Sequence, residues 1–123
     1  MTHTLSFAQT GGSTPLGVTV TLTGQNGTES NPDVPGSTTN QEEVIAFPYA
    51  TLLEVFISSD VTLTLKTNSS SVPDDTITIT AGKPLVWYAG CGLANPFTAD
   101  VTKIYLTNAT SGTADFFMRT LVS

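Results

Sequence analysis

The chain has 123 residues, enough for one domain and too few for two halves with a cleft between them. Only 11% of residues are charged while 39% are hydrophobic, which fits a folding chain and excludes a charged disordered tail. Four Lys and Arg against ten Asp and Glu leave a formal net charge of -6, which excludes the basic footprint of nucleic-acid binding and disfavours an anionic membrane surface.

In chain order, Met1 to Ser6 lacks a basic segment followed by an apolar stretch, so the chain is expected to be made in a cytoplasm without a secretory leader. Residues 1–4 read as a short N-terminal arm, whose unpaired backbone could augment a neighbouring sheet. A first strand is expected at about 4 to 8. Threonine then alternates with aliphatic residues in Val18-Thr19-Val20-Thr21-Leu22, the period of two that marks a strand with one wet face. From Gly24 to Gln41 there is almost no apolar side chain, and this stretch reads as a long polar loop, either a contact element or a solvated surface.

Further strands are expected at about 43 to 47, 52 to 58, 61 to 65, 76 to 80, 84 to 89, 102 to 107 and 114 to 122. Turn signals punctuate them, among them Gly11-Gly12, Ser59-Asp60, Pro73-Asp74-Asp75, Ala81-Gly82 and Asn95-Pro96. No window sustains a 3.6-residue period, and no apolar run approaches the roughly 18 residues of a membrane-crossing helix. The expectation is one all-β domain over residues 1–123: an antiparallel β-sandwich, jelly-roll-like, of eight or nine short strands. Its core is expected at Val18, Val20, Leu22, Val55, Ile57, Leu63, Leu65, Ile77, Ile79, Trp87, Ile104 and Leu106.

Three strands are apolar on both faces. Leu52 and Phe56 oppose Leu53, Val55 and Ile57; Val86 and Tyr88 oppose Leu85 and Trp87; Phe117 and Leu121 oppose Phe116 and Met118. A sheet in a sandwich has one inner face, so something must cover the other. The cover is either the long loop folding back or another protein surface, by self-association or by docking to a scaffold.

Chemistry-bearing patterns are sparse. The lone histidine, His3, lies near the chain end, and Cys91 in Gly90-Cys91-Gly92 has neither a histidine partner nor a nearby cation, so it reads as a small buried residue at a strand end. One cysteine and one histidine cannot hold structural zinc. Glu42-Glu43 and Asp74-Asp75 read as edge and turn residues, and no phosphate-binding glycine loop is present. The Asn-x-Ser/Thr triplets at Asn26, Asn68 and Asn108 are expected by chance in so threonine-rich a chain. Trp87, Tyr88, Phe97 and Tyr105 could in principle form a platform for sugar rings. No catalytic, cofactor or metal residue is assigned, and an enzyme is not expected.

One resemblance is carried by the C-terminal half: Ile77-Thr-Ile-Thr-Ala-Gly-Lys-Pro-Leu-Val-Trp-Tyr88, then Asn95-Pro-Phe97, then Asp100-Val-Thr-Lys-Ile-Tyr-Leu-Thr-Asn108. A strand ending in Ala-Gly, an aromatic strand, an Asn-Pro turn and a strand running into Thr-Asn resemble the capsid decoration, or cement, proteins of tailed bacteriophages. The resemblance covers a third to a half of the chain. It implies a non-enzymatic virion protein on the capsid exterior that binds the major capsid protein and stabilises the shell, as a homo-oligomer, trimer or dimer. Contact residues are expected at Thr2 and His3 in the arm and at the outward aromatics Phe56, Tyr88 and Phe117, with no nucleic acid and no membrane. The alternative is a receptor- or glycan-binding β-sandwich module of a phage fibre or tail.

Overall fold

A computed structural model describes residues 1–14 and 16–123. Among them are eleven strands and no helix: β1 (Thr2–Gln9), β2 (Leu16–Thr23), β3 (Asn26–Ser30), β4 (Asp33–Val34), β5 (Thr38–Glu43), β6 (Leu52–Ser59), β7 (Leu63–Thr67), β8 (Thr76–Ile79), β9 (Leu85–Tyr88), β10 (Ile104–Asn108) and β11 (Ala114–Val122). All pairings are antiparallel.

Two sheets face one another. One has the order β5-β10-β7-β8, and the other β3-β11-β6-β9 with β4 also on β11. The pairs β7·β8, β6·β9, β5·β10 and β3·β11 nest inside one another, as if one long antiparallel hairpin had been rolled up. Alternation puts Leu63, Leu65, Ile79, Ile104 and Leu106 of the first sheet against Val55, Ile57, Phe116 and Met118 of the second, all almost fully buried in one cluster. Phe47 and Phe97 close one end, edge to face at 5.1 Å and 74°. The sandwich expected from the threonine alternation is therefore present, with more strands than the eight or nine foreseen.

Three expectations are corrected. The stretch from Gly24 to Gln41 is not one long loop: it carries β3, β4 and most of β5. β3 and β4 lie on the same edge of β11, interrupted where Pro32, which has no N–H, accepts from Phe116 N at 3.3 Å. The expected strand at 43 to 47 lies earlier, at Thr38–Glu43, leaving Phe47 in an isolated bridge to Val101. Residues 1–4 are no free arm, since Thr2 to Thr4 are paired within β1.

Among the described residues every buried polar side-chain group has a hydrogen-bond partner. Asn108, fully buried, donates from Nδ2 to the carbonyls of Val34 (3.0 Å) and Gly112 (2.8 Å), and its Oδ1 accepts from Thr110 N and Oγ1. Asn68, in left-handed backbone at φ 66°, donates to Asp74 and to the Asp100 carbonyl and accepts from Thr102, tying three loops together. Two of the three Asn-x-Ser/Thr asparagines are thus committed to the fold.

Candidate docking surface

The antiparallel register places Glu54 and Phe56 of β6, Val86 and Tyr88 of β9, and Phe117, Arg119 and Leu121 of β11 on the outer face of the β3-β11-β6-β9 sheet. This is the second apolar face noted in the sequence. Much of it is covered from within the chain, though not by the 24–41 stretch. The β1–β2 hairpin lies over it.

Hairpin formation follows from two alternating strands joined through Gly11-Gly12, with Gly11 at φ 99°. Pairing of His3 with Leu22, Leu5 with Val20 and Phe7 with Val18 puts these six side chains on one face, while Thr2, Thr4, Thr19, Thr21 and Thr23 point to solvent. The hairpin crosses the strands beneath it. Met1 Sδ lies where a Cβ on Gly27 of β3 would come within 2.6 Å, His3 bonds Glu54 of β6, and Phe7 meets Tyr88 of β9 at 6.4 Å between ring centres. At its root, a Cβ on Gly24 would come 2.4 Å from the Val122 carbonyl, so only glycine fits there.

His3 and Glu54 form the polar anchor. The Glu54 side chain is 3% exposed and the His3 ring 13%, and His3 Nδ1 meets Glu54 Oε2 directly. A carboxylate this buried is tolerable only with such a partner.

Beyond the anchor the hairpin outruns the sheet. Phe7, Val18 and Leu16 are 41%, 60% and 62% exposed, on the same face that is half-buried at His3, Leu5, Val20 and Leu22. Val18, expected in the core, is therefore an exposed apolar residue, and Val20 and Leu22 are covered only by the outer face of the sheet. Beside β1, a cavity of 370 Å³ is floored by Phe56, Val86, Phe117 and Arg119. Phe56 and Phe117 pack edge to face at 6.3 Å, and the Arg119 guanidinium lies 5.2 Å above the Phe117 ring while donating to Glu29 at 2.7 Å.

The structure brings four of the five expected contact residues, His3, Phe56, Tyr88 and Phe117, together at this interface, with Thr2 alongside on the solvent side of β1. Phe56, Tyr88 and Phe117 are half-buried rather than outward and free. Sequence reasoning missed Phe7, Leu16 and Arg119. The signal for the first two was the Gly11-Gly12 turn between alternating segments, which pairs 2–9 with 16–23; Arg119 carried none.

The four aromatics considered as a sugar platform do not share a surface. Phe97 is in the core, Trp87 turns inward and donates from Nε1 to the Leu93 carbonyl at 3.0 Å, Tyr88 lies on the opposite face of β9, and Tyr105 is on the other sheet beside Lys103. Cys91 is half-buried in the turn after β9, not fully buried. Among the described residues no three His, Cys, Asp or Glu side chains gather as metal ligands. Compared with protein-family models, curated proteins and solved structures, the chain matches none of them.

Proposed function

We propose that this protein is a non-enzymatic assembly module: a capsid decoration protein that docks on the outside of a tailed-phage head and stabilises the shell. The observation that carries the docking role is the apolar face of the hairpin running past the sheet to leave Phe7, Val18 and Leu16 in solvent, on a scaffold whose own core is complete without them. The resemblance of the C-terminal half to decoration proteins supports the choice of partner, the major capsid protein. The nested strand pairing supports reading the winding as a jelly roll. On this reading the protein acts as a symmetric dimer or trimer, and many weak contacts repeated around a closed shell supply avidity, so no single protomer needs to bind tightly.

Cosedimentation with expanded heads of the phage that encodes it tests the reading. The wild-type chain is expected to pellet with the heads, and a Leu16→Asp/Val18→Asp variant, both changes at solvent, to stay in the supernatant while keeping its circular dichroism spectrum. Wild-type protein left in the supernatant, or equal pelleting of both, overturns it.

A further inference from the structure

β1 has one edge paired and one free, and the geometry says which backbone groups lie on each. Met1 and Gly24 exchange both backbone hydrogen bonds, each 2.9 Å long, so they are a hydrogen-bonded pair. In an antiparallel ladder such pairs alternate, which makes His3·Leu22, Leu5·Val20 and Phe7·Val18 hydrogen-bonded pairs as well. Thr2, Thr4 and Ser6 consequently turn their N–H and C=O groups to the opposite edge. The 3.4 Å contact of the Thr2 and Thr23 hydroxyls agrees, since side chains come closest at non-hydrogen-bonded pairs.

That opposite edge opens on the cavity. Every residue from Thr2 to Phe7 lines it, and no residue of β2 does. A second cavity of 300 Å³ continues it past Met1 toward Thr28 and Glu29 of β3, sharing Thr2, His3 and Arg119 with the first. The result is a groove about 20 Å long, taking ~3.3 Å per residue for six residues of strand. One wall is an unpaired strand edge, the floor is Phe56, Val86 and Phe117, and Arg119 stands where the two cavities meet.

We infer that this groove accepts an extended segment of another protein chain as an added strand on β1. The unpaired N–H and C=O groups of Thr2, Thr4 and Ser6 select a peptide backbone, and the floor selects small apolar side chains at every second position. Arg119, which lines both cavities and gives one N–H of its fork to Glu29, has further donors with which to select a carboxylate in the groove. A second copy of β1 does not fit. Its apolar face is committed to its own sheet, which would have to occupy the space of the floor. The inference rests on the groove alone and holds whatever the partner's identity, so it goes beyond the capsid reading.

The probe is a labelled decapeptide alternating threonine and valine with one central glutamate, titrated into the full chain by fluorescence polarisation. Saturable binding is expected, weakened at least tenfold by Thr4→Pro, which removes a groove-facing N–H and leaves the β1–β2 ladder its bonds. Arg119→Gln is expected to weaken the glutamate peptide about fivefold and to leave a glutamine version unchanged. Amide exchange on the wild-type chain provides a readout free of any folding defect: Thr2, Thr4 and Ser6 gain protection with peptide, while His3 and Leu5, already bonded to β2, do not. No saturable binding, or protection without this alternation, overturns the inference.

Discussion

Glu54 illustrates how much one side chain can be asked to do. It is buried beneath the hairpin with His3 as its partner, so His3→Ala strands a carboxylate out of water. Breaking such a pair costs about 3–5 kcal/mol in a closed interior, but the His3 ring is 13% exposed and its removal opens Glu54 to solvent, so a loss of about 1–3 kcal/mol is expected. Urea unfolding should show that loss in His3→Ala and recover most of it in His3→Leu/Glu54→Leu, where no charge is left behind. Asn108 has no such escape. With its amide holding Val34, Gly112 and Thr110, Asn108→Ala is expected to cost about 2–3 kcal/mol. Lys103 is the contrasting case: its hydrogen bond to Glu42, and secondarily Tyr105, raises its pKa above the ordinary lysine value of 10.5, yet its side chain is 38% exposed and that of Glu42 50%. A raised folded-state value means the stabilisation is present below the ordinary lysine range and lost as pH climbs through the folded one. Water and salt screen it, so Lys103→Met should leave the melting temperature at neutral pH and physiological salt within error of wild type.

Among elements, legibility followed the origin of each strand's burial. β6, β9, β10 and β11 were placed within one or two residues, because their apolar alternation is local and visible. β3 and β5 were not, since Asn26-Gly27-Thr28-Glu29-Ser30 and Thr38 to Glu43 hold no apolar residue; they are strands because β11 and β10 offer them a ladder from some 90 and 65 residues away in sequence. The hairpin was half-legible. Its strands alternate plainly, but alternation gives a buried face without saying what buries it, and Val18 was sent to a core it does not reach. The same reasoning explains why the second apolar face is legible from Phe56, Tyr88 and Phe117 while the exposed apolar end of the hairpin, Phe7, Leu16 and Val18, is not. A tight element contact supplies a further test. A Cβ on Gly36 would lie 2.4 Å from the Ser111 carbonyl oxygen, between the β4–β5 and β10–β11 turns, and backbone on both sides cannot give way. Gly36→Ala should therefore lower thermal stability more than Gly112→Ala, whose Cβ meets nothing within 4 Å.

For the whole molecule, the buried cluster holds no residue of β1 or β2 among those described, so sandwich and cover are separable in principle. A chain lacking residues 1–24 is expected to keep its far-ultraviolet β signature and cooperative unfolding, while binding the dye ANS through the bared Phe56, Tyr88 and Phe117. Loss of cooperative unfolding would show that the hairpin is part of the core after all. Phe116→Ala, by contrast, empties the interior of both sheets and should cost about 3–5 kcal/mol.

The position of β11 also sets an order on synthesis. It is paired with β3, β4 and β6 at once, so the sheet on which the hairpin rests lacks one of its two inner strands until the last segment of the sandwich is made. The hairpin, complete by residue 23, precedes the β6 and β9 partners of His3 and Phe7, and Leu5, Phe7, Val20 and Leu22 have no sheet to lie on until those strands are made. Its opposite face, lined by Thr2, Thr4, Thr19, Thr21 and Thr23, keeps it wetted in that interval.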